Sequence, residues 1–93
     1  MLEVVSPYTG KVISEIQTQS QADLQTMLAQ AYALYRDRSG WMDVQTRMDI
    51  LSNASQLLQA RIAEFAELIA REGAKPLQDA RVEAKRAAEG LRM

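Results

Sequence analysis

The chain has 93 residues, of which 47% are hydrophobic and 25% charged, and carries a net charge of −1. That near-neutral balance argues against electrostatic capture of nucleic acid or an anionic membrane; Arg36, Arg38, Arg47, Arg61, Arg71 and Arg81 are dispersed among acids. The sequence contains neither Cys nor His, which removes disulfides, thiolate nucleophiles, imidazole bases and Cys/His zinc sites together.

The first predicted element is a hairpin. Two β-prone runs, Leu2 to Val5 and Lys11 to Ile16, flank Ser6-Pro7-Tyr8-Thr9-Gly10. Proline presets φ early in such a turn and glycine supplies a positive φ late in it, giving a loop of about five residues. A helix then opens at Ser20. Its hydroxyl can accept from the Asp23 backbone while Asp23 reaches back, a capping box. Leu24, Met27, Leu28, Ala31, Leu34 and Tyr35 follow at helical spacing, and Ser39-Gly40 is the expected stop.

The longest periodic run starts near Val44. Val44, Met48, Leu51, Leu58, Ile62, Phe65 and Ile69 recur at steps of three and four, widened by Ala54, Leu57 and Leu68. One long helix, or two with a kink between Gln59 and Ile62, fits this pattern. Gly73 then stands where a helix end favours a left-handed residue, and Pro76 where a new helix tolerates a missing N–H. The last helix carries a narrow stripe of Leu77, Ala80, Ala84, Ala87 or Ala88, and Leu91, whose small side chains allow close packing. The expected fold is mainly α with a short N-terminal β-hairpin: residues 1–18 form the hairpin and residues 19–93 three to four amphipathic helices.

No constellation of residues points to catalysis, cofactor binding or metal binding. Gly10, Gly40, Gly73 and Gly90 are too far apart for a phosphate-cradling loop. The acid pairs Glu64/Glu67 and Glu83/Glu89 read as solvated helix faces rather than catalytic carboxylates. Lys75 reads as an exposed corner or a structural ion pair, and Trp41 as a packing anchor. The apolar-leaning stretch 62–70 is cut by Glu64 and Glu67 and falls far short of the roughly 20 residues a membrane span needs. With no basic-then-apolar leader at its start, the chain is expected to be soluble and cytoplasmic.

The order of these elements resembles the N-terminus of the aldehyde dehydrogenase superfamily. Ser6-Pro7-Tyr8-Thr9-Gly10 is similar to that family's Asn-Pro-x-Thr-Gly turn, and Ser20 with Asp23 to its Ser-x-x-Asp helix start. Trp41, Arg47 and Leu51 match the middle of the pattern. Glu72, Lys75 and Pro76 match its Glu-x-Gly-Lys-Pro corner, followed by Ala80 and Glu83. Ser6 departs from the family's Asn, and Gly73-Ala74 departs from a glycine placed next to the lysine. The resemblance implies a parent enzyme that oxidises an aldehyde to an acid or thioester with NAD or NADP. It also implies that residues 19–93 belong to the cofactor-binding domain, while the Rossmann core and the catalytic Cys and Glu lie outside this chain. The expected partners are the remainder of such an enzyme and, through uncovered helix faces, a second copy of the chain. The end in "AAEGLRM" is read as that of a segment. The alternative is an independent small helical protein–protein interaction module.

Overall fold

The computed structural model describes all 93 residues. Strands β1 (Leu2–Val5) and β2 (Val12–Ile16) pair antiparallel, with Leu2 opposite Ile16 and Val5 opposite Val12. Val4 faces Ser14 and Val5 faces Val12, so Ile13 is an extra residue that bulges the second strand, which begins one position past the expected Lys11. The loop is closed by Ser6 N–H donating to the Lys11 carbonyl at 2.9 Å and Gly10 N–H to the Ser6 carbonyl at 2.8 Å. Gly10 takes the positive φ of 72° that the turn requires.

Helix α1 (Gln21–Arg36) starts with the capping box read from the sequence. Asp23 N–H donates to Ser20 Oγ at 3.1 Å, and Ser20 N–H donates to Asp23 Oδ2 at 3.1 Å. The helix stops before the expected Ser39-Gly40. Asp37 leaves helical geometry, and its carboxylate accepts from Ser39 N–H at 3.1 Å, converting the next residues into a 3-10 turn, Arg38–Gly40. A short acid that bonds the backbone two residues on competes with helix continuation.

The long periodic run resolves into two helices, α2 (Val44–Ala60) and α3 (Ile62–Gly73), separated at Arg61. Neither Gly nor Pro makes the break. Arg61 has φ −117° and ψ 21°, and its N–H donates to the Leu58 carbonyl at 2.9 Å in a tightened last turn. Its guanidinium grips Glu64 with two bonds of 2.9 and 2.7 Å and lies over the Phe65 ring at 5.1 Å. The bend lets both helices pack on α4 (Leu77–Arg92).

The corner before α4 corrects one expectation. Ala74, not Gly73, adopts the left-handed conformation, with φ 52° and ψ 41°, while Gly73 is the last residue of α3. The N–H groups of Ala74 and Lys75 both turn back to the Ala70 carbonyl, the Lys75 bond measuring 3.2 Å; the first is the 5→1 bond of an αL helix ending and the second the 6→1 bond of a Schellman ending. A Cβ on Gly73 would meet the Lys75 side chain at 3.5 Å, an ordinary contact, so no steric demand places the glycine there. Pro76 lies one residue outside α4, which begins at Leu77.

The core is small and built from alanines. Ala66 of α3 and Ala80 and Ala84 of α4 are fully buried, with Ile62, Phe65, Ile69 and Ala70 packed around them. Ala88, rather than Ala87, continues the stripe into α2. There it meets Ser55, whose hydroxyl donates to the Ala88 carbonyl at 2.6 Å. Small side chains let the helix axes approach, so each buried group contacts its neighbours closely. No helix is long and apolar enough to cross a membrane.

Candidate functional site

Many large apolar side chains are exposed at the surface. Leu24, Met27, Leu28, Tyr32, Leu34 and Tyr35 of α1 are all exposed, and α1 contains no buried residue. It packs appreciably only against the 3-10 turn that follows it. In α2 and α3 the expected stripe divides: Leu58, Ile62, Phe65 and Ile69 turn toward α4, whereas Val44, Met48, Leu51, Leu57 and Leu68 face solvent. An open groove of about 420 Å³ lies beside the start of α2, lined by Trp41, Met42, Arg47, Ile50 and Leu51.

Trp41, read from the sequence as a packing anchor, is half exposed and is held by a hydrogen bond instead. Its indole Nε1–H donates to the Leu34 carbonyl at 2.7 Å, covering an unsatisfied carbonyl near the end of α1. Arg38 lies over both the Tyr35 ring (5.6 Å) and the Trp41 ring (4.9 Å). This cluster ties the connection to the end of α1 while leaving one side of the Trp41 ring in the groove. Asp43 caps α2 by accepting from Thr46 N–H at 2.7 Å. That cap went unread in the sequence, although an Asp just before the periodic run is the available signal.

The titratable groups serve local structure. The Ser20 hydroxyl and backbone hold the Asp23 carboxyl below its ordinary range, and Ser39 does the same for Asp37. The Thr46 N–H lowers Asp43, and the Arg61 guanidinium lowers Glu64. Each of these carboxylates accepts from a donor within three residues, and all are exposed. Lys75 forms an ion pair with Glu83, stapling the corner to α4, and Glu67 and Glu89 are exposed. No three His, Cys, Asp or Glu side chains converge. Gly10 lies in the hairpin loop, Gly40 in the 3-10 turn, Gly73 at the end of α3 and Gly90 inside α4. None lies between a strand and a following helix, where a dinucleotide's phosphates are cradled. What the arrangement offers is packing surface.

Comparison with known proteins gives that surface a context. The sequence profile described as "Aldehyde dehydrogenase family" matches residues 1–93. The aldehyde-dehydrogenase-like protein y4uC of Sinorhizobium fredii is 32% identical over 92 residues, which is 99% of this chain and 18% of that protein. The 3-sulfolactaldehyde dehydrogenase of Priestia aryabhattai is 30% identical over 92 residues, covering 99% of this chain and 19% of the relative. Among solved structures, the glyceraldehyde-3-phosphate dehydrogenase GapN of Methanocaldococcus jannaschii, complexed with NADP, superposes with a TM-score of 0.86 at 24% identity. That match covers 99% of this chain and 20% of GapN. The chain thus spans about a fifth of the length of these relatives.

Proposed function

The chain belongs to the aldehyde dehydrogenase family, and from that premise we propose that it is the N-terminal scaffold of an enzyme oxidising an aldehyde to a carboxylic acid or thioester with NAD or NADP. In this reading the segment contributes no catalytic group and no cofactor ligand. The hairpin and helices α1 to α4 brace the cofactor-binding domain, and the apolar faces of α1 and α2 are covered by the rest of the enzyme. A cytoplasmic setting belongs to the same proposal.

One observation carries the reading: α1 is placed without being held. It buries no residue against α2, α3 or α4, yet 99% of the chain superposes at a TM-score of 0.86 on part of a chain five times as long. A helix of 16 residues with no tertiary partner is marginal in water. Contacts outside the 93 residues supply a reason for its position. The Rossmann-type cofactor site and the nucleophile would also come from outside, since neither a Cys nor a phosphate-binding turn is present. An independent interaction module needs a core that closes on itself, and here only five residues are buried.

The test is a segment exchange. Residues 1–93 replace the matching part of the Priestia aryabhattai 3-sulfolactaldehyde dehydrogenase, and NADH or NADPH formation is followed beside a version with that part deleted. The proposal expects the deletion to be inactive and the exchange to restore aldehyde-dependent cofactor reduction. An exchange no more active than the deletion, or aldehyde oxidation by the 93 residues alone, overturns it.

A further inference from the structure

The fold brings together cations that the sequence keeps apart. The hairpin loop borders the end of α3 and the corner before α4 across two open clefts, of about 380 and 300 Å³. Ser6 and Arg71 line both; Lys75 lines the first, and Thr9 and Lys11 line the second. No acidic side chain lines either cleft. No residue of α1 or α2 does so either, which separates this concavity from the apolar faces assigned above to the rest of the enzyme.

The donors around the clefts are not used up within the chain. Its ion pairs join Arg61 to Glu64 and Lys75 to Glu83. Arg71 and Lys11 pair with no carboxylate; Glu67, one turn before Arg71 on α3, is not bonded to it. In the loop, Ser6 Oγ accepts from the Thr9 N–H and Thr9 Oγ1 from the Lys11 N–H, both at 3.3 Å. A hydroxyl that accepts from the backbone still has its own proton to donate. Two unpaired cations and two hydroxyl donors, with no negative charge among them, complement a compact anion that has several acceptor oxygens.

We propose that the clefts between the hairpin loop and the α3–α4 corner form a binding site for a tetrahedral oxyanion, either inorganic phosphate or the phosphate group of a small ester. Arg71 supplies a planar fork that meets two phosphate oxygens at once, and Lys11 supplies a point charge beside it. The Ser6 and Thr9 hydroxyls donate to the remaining oxygens. The positive charge is local, because the whole chain carries −1, so the site suits a small anion and not a polyanion. This goes beyond the scaffold reading and involves neither the aldehyde nor the nicotinamide cofactor.

Backbone amide NMR of the 93-residue chain, titrated with phosphate and with chloride at matched ionic strength, tests the site. With phosphate, shifts are expected to saturate and to be confined to residues 6–11 and 70–76. Methyl phosphate, run in parallel, separates the two sources: saturation by either anion supports the proposal, and the tighter of the two identifies the source. Arg71→Gln and Lys11→Gln are each expected to weaken binding about ten-fold. Arg71→Lys, which keeps the charge without the fork, is expected to restore part of that loss. Arg86→Gln removes the same charge from α4 outside both clefts and is expected to leave binding unchanged. Lys11, Arg71 and Arg86 are all exposed, so the fold is expected to persist in every variant. Shifts with both phosphates that match those with chloride, shifts spread evenly along the chain, or binding as sensitive to Arg86→Gln as to Arg71→Gln would each overturn the proposal. The assay contains no aldehyde and no cofactor, so its failure is distinct from failure of the scaffold reading.

Discussion

Replacing Ser55 with Ala perturbs the joint between α2 and α4 at a single atom. Ser55 is 1% exposed, and its hydroxyl donates to the Ala88 carbonyl at 2.6 Å across 33 residues of sequence. Both residues are buried, so bulk solvent does not replace the lost donor. Losing a buried neutral hydrogen bond and leaving its partner short of a donor costs about 1–3 kcal/mol. The vacated volume of one oxygen adds little to that. A domain of this size holds roughly 5–14 kcal/mol in total, so the loss is a measurable fraction of it. The assay is urea unfolding followed by circular dichroism at fixed protein concentration, since any association shifts the midpoint. Asn53→Ala, exposed on the same helix, is the control and is expected to stay within about 0.5 kcal/mol. If Ser55→Ala unfolds at the same urea concentration as the control, the hydroxyl does not join these helices and the account of their packing is wrong.

Ala84→Leu forces a branched side chain into the contact between α4 and α3, and the same unfolding assay is expected to read a loss of about 1–3 kcal/mol. Ala74→Gly relieves a left-handed residue that costs an L side chain roughly 1–2 kcal/mol; glycine's greater freedom in the unfolded chain returns part of this. A net stabilisation of about 0.5–1 kcal/mol should appear as a higher thermal midpoint. The capping carboxylate of Asp23 is held below its ordinary range by Ser20. Its contribution is therefore full above the ordinary aspartate value of about 3.9 and is lost as pH falls through the lower folded value. Acid titration of the helical signal should show this loss in the native chain and a smaller one in Ser20→Ala.

Much of the fold is legible in the sequence because its signals are local. The turn chemistry of Ser6 to Gly10 and the pair Ser20 and Asp23 act within a few residues, and both elements form where the pattern puts them. The helix break at Arg61 is harder to place, because a side chain that grips Glu64 and covers Phe65 makes it, without Gly or Pro. The left-handed residue is misplaced for a related reason. Gly73 has the right chemistry, but the hydrogen bonds to the Ala70 carbonyl set the corner one residue later. In the family's pattern a glycine stands beside the lysine, and Ala74 occupies that place here.

The candidate site is the least legible part. Periodicity reports that α1 has an apolar face, but not whether anything in the same chain covers it. Leu51 of the periodic run stays exposed, as do Leu57 and Leu68, which widen it. Ser55, a polar residue on that stripe, is buried because a carbonyl 33 residues away accepts its proton. Such pairings depend on tertiary approach, which spacing along one helix does not encode.

Amide hydrogen exchange, resolved by segment, tests the central claim most directly when the monomeric chain and the segment-exchanged enzyme are measured side by side. In the chain alone, α2, α3 and α4 are expected to be protected through their buried contacts, and α1 to exchange rapidly for want of any. In the exchanged enzyme, protection should extend to α1. Equal protection of α1 and α4 in the isolated monomer would contradict the account, because α1 would then be held by this chain itself.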